Sequence, residues 1–527
     1  MPDQTIITNG RIYQGRGRVL AGHSILIEGS TIHRIAPLSE LRGISSSAHE
    51  IDLQGGTVLP GLVDSHLHLA QLAIYLQSVD CELPIKAQML ERVRQKAATS
   101  SNTWIIGYGW NQNLWNPPVF GSGADLDAVA GEKAVVLFAK SLHALWANTK
   151  AMQLAGITIS TAAPEGGVVL RLEDGTPSGI FLENAMALIE KAIPEPPPDL
   201  LAEWVEQAQK HLLSMGITGV HDFDRFESYD ALQTLEEKGC LHLRVVKNLP
   251  ADHLDEVISG EFRQKLNTKH LRPGWIKGFA DGALGPQSAA MLEPYEGSSG
   301  KGILLLTRQE ILDLGKHASQ KGWPLAIHAI GDAANHEVLE GLKLLRAFES
   351  KEGLPALPHR VEHVQCIAPS DRGLMKSLEV IASVQPIHAT SDMFIAAKHW
   401  GARCADAYAY RSLMDSGITC LYGSDAPVES ANPFLGIHAS VTRRRLSGEP
   451  GADGWFPGQR LSLASALDGF SVLPNQVAGF QDSKAIEEGS AATMVLLAQD
   501  LFTMDPQEIG QVKPFITFVE GEVLFES

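Results

Sequence analysis

The chain has 527 residues, 44% of them hydrophobic and 20% charged, enough for one large core and a smaller satellite without disulfides or metals to hold the fold. A net charge of -18 matches a polyanion poorly, so no nucleic-acid partner is expected. No run approaches a membrane span, Met1, Pro2, Asp3 and Gln4 lack the start of a secretory signal, and five scattered cysteines form no C-x-x-C; a cytoplasmic protein with no membrane contact is expected.

In chain order, residues 5–58 are strand-rich, with β-type runs at 24–27 and 31–35 around Glu28-Gly29. The last forty or so residues behave alike: 492–497 is one run, and 514–525 repeats strand, Glu520-Gly521, strand. Neither end could bury a face alone, so 1–58 and 485–527 are expected to pair into one small domain. At 62–64 a short apolar strand gives way to Asp64, His66 and His68. Histidines two apart on an extended segment point to one side, so both can reach one ion; taken alone, the pair is as often incidental.

Beyond it, short apolar runs alternate with helical patterns. Strands are expected at 62–64, 219–222, 243–246, 275–279, 324–328, 360–363, 380–384 and 418–423. Eight suits a (β/α)8 barrel over 59–484, with its chemistry at the C-terminal strand ends, although a doubly wound sheet has the same alternation. The gap after the first strand is too long for one βα unit. It predicts an inserted subdomain at about 80–210, emerging over the site mouth and holding 104–110, 134–138, the segment 140–148 and the Pro-rich 193–198.

Polar residues gather at the strand ends: Lys277, His328, His363 after Glu362, and Asp425. Each has a bland alternative: a packed histidine, a snorkelling lysine or a helix-capping aspartate. Together with His66 and His68 they suit zinc or a similar divalent ion. An ammonium would repel that ion, so Lys277 belongs there only if carbamylated to a bridging carboxylate.

These motifs resemble the amidohydrolase superfamily, specifically its YtcJ-like, amidohydrolase-3 branch, which includes N-substituted formamide deformylases. The resemblance rests on Asn9 to Tyr13, Pro60 to His68, His143 to Asn148, Lys277 to Gly282, Ala326 to Asp332, Arg360 to His363, Gln385-Pro386 and Ser424 to Pro427. It implies a metal-carrying α/β barrel with a small β-sandwich built from both termini. It also implies that His66, His68 and Asp425 hold a first ion, that His328 and His363 hold a second, and that N6-carboxylated Lys277 bridges two zinc ions. Water between two cations is far more acidic than bulk water, and Asp425 would move its proton to the leaving nitrogen. Hydrolysis of a non-peptide C–N bond (amide, N-acyl or N-formyl) in a small molecule is the expected reaction, and members of the family often form homodimers.

Other residues have a functional and a structural reading. Asp281 and Glu362 could orient imidazoles or cap and pack. His143, Trp146 and Asn148 on the insertion, with Trp110 and Trp115, could meet substrate or form a buried cluster. Asp332 reads as a helix N-cap, and Arg443, Arg444 and Arg445 as a solvated helix face. Asp392, Lys398, His399, Trp400 and Arg403 share a loop that could read substrate. Two other functions stand beside the hydrolase: a mononuclear deaminase of a cyclic amidine, and a non-catalytic regulator on the same fold.

Overall fold

The computed structural model describes residues 4–141, 143–257, 260–480 and 485–527. The expectations for Met1, Pro2, Asp3 and Leu142 fall outside them. The chain divides into two compact units, Met1–Leu72 with Val205–Ser527, and Ala73–Trp204.

The first unit is built on eight strands: β1 (Leu62–Leu67), β2 (Ile217–Asp222), β3 (Arg244–Pro250), β4 (Leu271–Phe279), β5 (Leu325–Ala329), β6 (Arg360–His363), β7 (Ile381–Val384) and β8 (Cys420–Tyr422). They pair in chain order and all in parallel, giving an α/β fold with one eight-stranded parallel sheet. Strands hidden on both faces read as continuous apolar runs, which is why short stretches such as 381–384 announce themselves in sequence. The sheet curls into a near-barrel: beyond β8, Asp425 N donates to His66 O on β1 at 2.7 Å, and His68 N donates to Ala426 O at 2.8 Å.

Helices supply the crossovers. Arg308–Ser319, between β4 and β5, begins at Thr307, whose hydroxyl accepts from Glu310 N while the Glu310 carboxylate accepts from Thr307 N. Asp332–Lys351, between β5 and β6, buries Ala334, Val338, Leu339, Leu342 and Leu345 at helical spacing. No described helix is long and apolar enough to cross a membrane.

β1 runs past the expected end at residue 64 because Asp64 is buried and bonded. Its carboxylate accepts from Ser424 N and His66 N, each at 3.0 Å, and from the Ser424 hydroxyl at 2.5 Å. This lashes β1 to the turn after β8.

Both termini enter one six-stranded sheet, ordered Glu522–Glu526, Pro514–Val519, Met494–Leu497, Thr57–Pro60, Arg11–Gly15, Arg18–Leu20. It shares an apolar cluster, including Ile7, Ile25, Val58, Met494 and Phe518, with a four-stranded sheet ordered Thr31–Ala36, Ser24–Glu28, Gln4–Thr8, His49–Asp52. Both sheets fall in the same compact unit as the parallel sheet, so the division isolates no separate terminal domain.

The second unit has its own six-stranded sheet, ordered Gly167–Arg171, Pro177–Glu183, Ala144–Ala147, Ala134–Ala139, Trp104–Trp110, Val79–Asp80. One of its apolar clusters gathers Trp110, Trp115 and Trp146 with Leu126, Val135 and Leu137.

Candidate metal centre

His66, His68, Lys277, His328, His363 and Asp425 come together at the C-terminal ends of the parallel strands, around a pocket of about 360 Å³. Asp425 is the hub: its Oδ1 lies 3.5 Å from His66 Nε2 and 3.4 Å from His68 Nε2. The donor atoms of those three residues lie within 4.8 Å of one another, as do those of His363, His388 and Asp425. His328 lines the same pocket and packs on His363, ring centroids 4.5 Å apart, with its Nε2 3.1 Å from Gly282 O, and His388 is a further donor beside His363.

Each imidazole is aimed by an oxygen behind it. His66 Nδ1 lies 2.7 Å from Glu362 Oε2, His363 Nδ1 lies 2.8 Å from Gln385 Oε1, and His68 Nδ1 faces Asp224 Oδ1 at 3.3 Å. The Glu362 and Gln385 bonds fix the proton on Nδ1 of His66 and His363 and leave their Nε2 bare and pointing inward, whereas His68 faces Asp224 as an ion pair. Glu362 is fully buried and paired with Arg360. Asp281 accepts from the backbone amides of Ile330, Gly331 and Ala290 and lies 3.5 Å from His328 Nε2.

The backbone is bent to present these groups. His363, Val364 and Asp425 have φ of 75°, 45° and 64°, a region costly for side-chain-bearing residues and concentrated at functional sites. At Gly423 a Cβ would lie 2.4 Å from His66 N, so only glycine lets the two strand ends meet.

Protonation follows from burial and charge. Burial pulls His66 down to about 4 and His328 to about 3, the latter helped by the Lys277 charge. Burial also holds His363 well below its usual value. At His68 burial is outweighed by the carboxylates of Asp224 and Asp425, which lift it to about 9. Burial would raise Asp425, but the His68 hydrogen bond and the neighbouring His66 and His388 hold it well below the carboxylate range. Neutral imidazoles around an ionised carboxylate are the protonation states that metal binding requires, and the demand for positive charge at His68 is one that a cation meets. Burial lowers Lys277 to about 8; its ammonium sits 4.9 and 4.8 Å from the Phe223 and Phe279 ring centres and has no hydrogen-bond partner among the described residues.

The insertion residues lie elsewhere. Trp110 and Trp146 are fully buried in the second unit, their indole nitrogens donating to Leu137 O and Ser122 O at 2.8 Å. Asn148 is buried too, capping Thr149–Leu154 and accepting from Val135 N. For these three the buried-cluster reading holds and the substrate-contact reading does not: the strands carrying Trp110 and Trp146 pack into the second unit's core, and Asn148 is tied up as a helix cap. His143 is exposed and pairs with Glu183 at 2.9 Å. Arg443 is no solvated residue: it is buried at a helix end, donating to Trp455 O and Tyr408 O and stacking on Tyr410 and Trp455. Asp332 opens its helix one residue inside the cap and accepts from Leu292 N. Asp392 lines the pocket, whereas Arg403 is tied to the carbonyls of Glu293 and Pro294. Asp224 and His388 belong to no strand-end motif, although Asp224 lies two residues past a strand end and His388 three past Gln385.

The chain matches the amidohydrolase family model over residues 49–525. It is 30% identical over 503 residues to "Putative amidohydrolase YtcJ" of Bacillus subtilis (strain 168), covering 92% of this chain and 91% of that one. It is 25% identical over 548 residues to the N-substituted formamide deformylase of Arthrobacter pascens, covering 99% and 98%. Among solved structures, an uncharacterized metal-dependent hydrolase from Pyrococcus furiosus superposes with a TM-score of 0.76 at 28% identity, covering 96% of this chain and 100% of that one. A pocket rimmed by strand-end histidines around one aspartate and a family match over nearly the whole length agree: the chain belongs to the amidohydrolase family, in its YtcJ-like branch.

Proposed function

We propose that this protein is a metal-dependent hydrolase of a non-peptide carbon–nitrogen bond, in an amide, N-acyl or N-formyl group of a small molecule. Two divalent ions would be held by His66, His68 and Asp425 and by His328 and His363, with N6-carboxylated Lys277 between them. The mixed imidazole and carboxylate donors suit zinc. The sheet that carries them is taken as a (β/α)8 barrel, with the two terminal sheets as its small β-sandwich.

The observation that carries most weight is Lys277. A buried ammonium without an acceptor among the described residues, next to three imidazoles, is costly as it stands. Carbon dioxide would convert it to an anion that welcomes cations on both sides. When bound, the ions supply Lewis acidity, making water easier to deprotonate and polarising the scissile carbonyl. Asp425, ionised and facing His66 and His68, takes the proton of the attacking water and delivers it to the leaving nitrogen. Glu362, Asp224 and Gln385 keep the imidazoles in register throughout.

The pocket wall favours an uncharged or cationic substrate body. Phe279, Leu284, Ile330 and Val428 line it with Asp392 and Glu429, and it has no arginine and no lysine besides Lys277 among the described residues. A substrate carboxylate would find no fixed partner there, whereas an N-substituted formamide, the class named for the A. pascens relative, needs none.

Metal content per chain, on protein purified without chelator and reconstituted with and without carbon dioxide, tests this. Expected are about two ions, activity lost in carbonate-free buffer, and release of amine from N-formyl or N-acyl compounds. One ion indifferent to carbonate, with ammonia released from a cyclic amidine, would replace this reading with a deaminase.

A further inference from the structure

His388 opens a short helix, His388–Ser391, just beyond β7. Its Nε2 is buried, has no hydrogen-bond partner among the described residues, and lies 4.0 Å from Asp425 Oδ2. Its Nδ1 lies 3.2 Å from the side-chain amide of Gln365. The other end of that amide lies 3.1 Å from the Tyr408 hydroxyl, which in turn lies 2.7 Å from Asp392 Oδ2. Gln365 and Tyr408 are also joined through their backbones, Tyr408 N donating to Gln365 O at 2.6 Å.

Counting protons along this chain gives one answer. A carboxylate only accepts, and a tyrosine hydroxyl has a single proton. At 2.7 Å that proton belongs to Asp392, since two bare oxygens so close would repel. The Tyr408 oxygen is then left to accept, and its other neighbour is Gln365. With Gln365 Oε1 toward the hydroxyl and Nε2 toward the imidazole, one proton would have to serve two acceptors. Turning the amide over, which leaves its shape unchanged, satisfies every contact. The carbonyl of Gln365 now faces His388 and requires a proton on Nδ1. A neutral imidazole protonated at Nδ1 carries a bare lone pair at Nε2.

We propose that His388 is a metal ligand, its Nδ1–H tautomer fixed by the relay from Asp392 through Tyr408 and Gln365, so that Nε2 joins His328 and His363 on the second cation, 4.0 Å from the Asp425 carboxylate of the first. The arrangement repeats that of His66 and His363, whose Nδ1 atoms face oxygens of Glu362 and Gln385. It rests on the two-ion reading above.

The test is cobalt(II) titration of the metal-free protein, read by bound metal per chain and by visible absorption. Wild type should take two ions. His388→Ala should keep the first with unchanged affinity and bind the second about 10–100-fold more weakly. Tyr408→Phe frees Gln365 to donate to His388, places the proton on Nε2, and should weaken the same ion about tenfold. His388→Gln, closer in size, repeats the measurement should the alanine variant not fold. Two ions at wild-type affinity in the His388 variants would overturn the ligand assignment and leave the two-ion reading intact. A wild type that takes only one ion would overturn that reading and this inference together.

Discussion

Replacing Glu362 with glutamine separates the two tasks its carboxylate performs. Oε2 lies 2.7 Å from His66 Nδ1 and accepts from Arg360 Nη2 at 2.9 Å, with no exposure to solvent. A glutamine offers one acceptor where the carboxylate offered two, and its NH2 then faces a donor. If the carbonyl takes the place of Oε2, the NH2 faces Arg360 Nε and His66 exchanges a charge-assisted bond of about 1.5–3 kcal/mol for a neutral one of about 0.5–1.5. The net loss of about 1–2 kcal/mol is roughly a 5- to 30-fold weaker hold on the ion at His66 and His68. In the metal-free protein the cost is of a different kind, because Arg360 keeps its charge without its counter-ion. Breaking a buried pair typically costs about 3–5 kcal/mol. Here the lower end applies, since Arg360 also bonds His221, Ser65 O and Ser383 and lies against Phe223 and Trp275. Competition with a chelator reads the first quantity, and urea denaturation of the metal-free protein reads the second. Lower stability with wild-type metal affinity would mean that Glu362 only neutralises Arg360. No change in either would refute the wiring described for His66.

Three other perturbations follow from the packing. Gly423→Ala puts a methyl 2.4 Å from His66 N and 2.8 Å from Asp64 Oδ1; metal content should fall well below wild type while far-UV circular dichroism stays unchanged. Trp146→Ala should destabilise the protein by about 3–5 kcal/mol through a cavity in the second unit's core and leave bound metal per chain unaltered. Away from the centre, burial pushes Glu349 up, but hydrogen bonds from His359, Ser319 and Arg346 pull it below its usual 4.5. Its stabilisation is therefore present above about pH 4.5 and lost as pH falls through the lower folded value. Glu349→Gln should cost about 3 kcal/mol at pH 7, and urea midpoints should show the gap to wild type closing in acid.

The strand-end residues of the pocket are legible because each sits where an apolar strand stops, and a lysine inside such a strand, like Lys277, has few structural excuses. What the sequence hid is relational. Asp224 matters only because the loop after β2 turns it toward His68, and Gln385 only because His363 faces it. His388 is hidden because it lies on a helix beyond β7 rather than on the strand, so spacing gives it no periodicity to share. The tryptophans of the second unit stay ambiguous in the sequence for the opposite reason. Trp110 and Trp146 lie on strands, and alternation does not say whether an inward face lines a core or a cavity. Arg443 looked solvated as one of three arginines, yet a helix C-terminus with φ of 57° carries it under Trp455.

The hydrogen bonds that bring β1 and β8 together are also the ones that build the centre. Asp425 holds a left-handed backbone conformation, which costs about 1–2 kcal/mol for a residue with a side chain. It persists because its amide donates to His66 O, the next residue donates to the Ser424 hydroxyl, and that hydroxyl donates to Asp64. The seam cannot relax without moving His66, His68 and Asp425 apart, and those are the donors grouped for one ion. Affinity for that ion and closure of the sheet are therefore linked: a cation bound there stabilises the seam, and a seam loosened at Asp64 or Ser424 gives up affinity without losing a ligand.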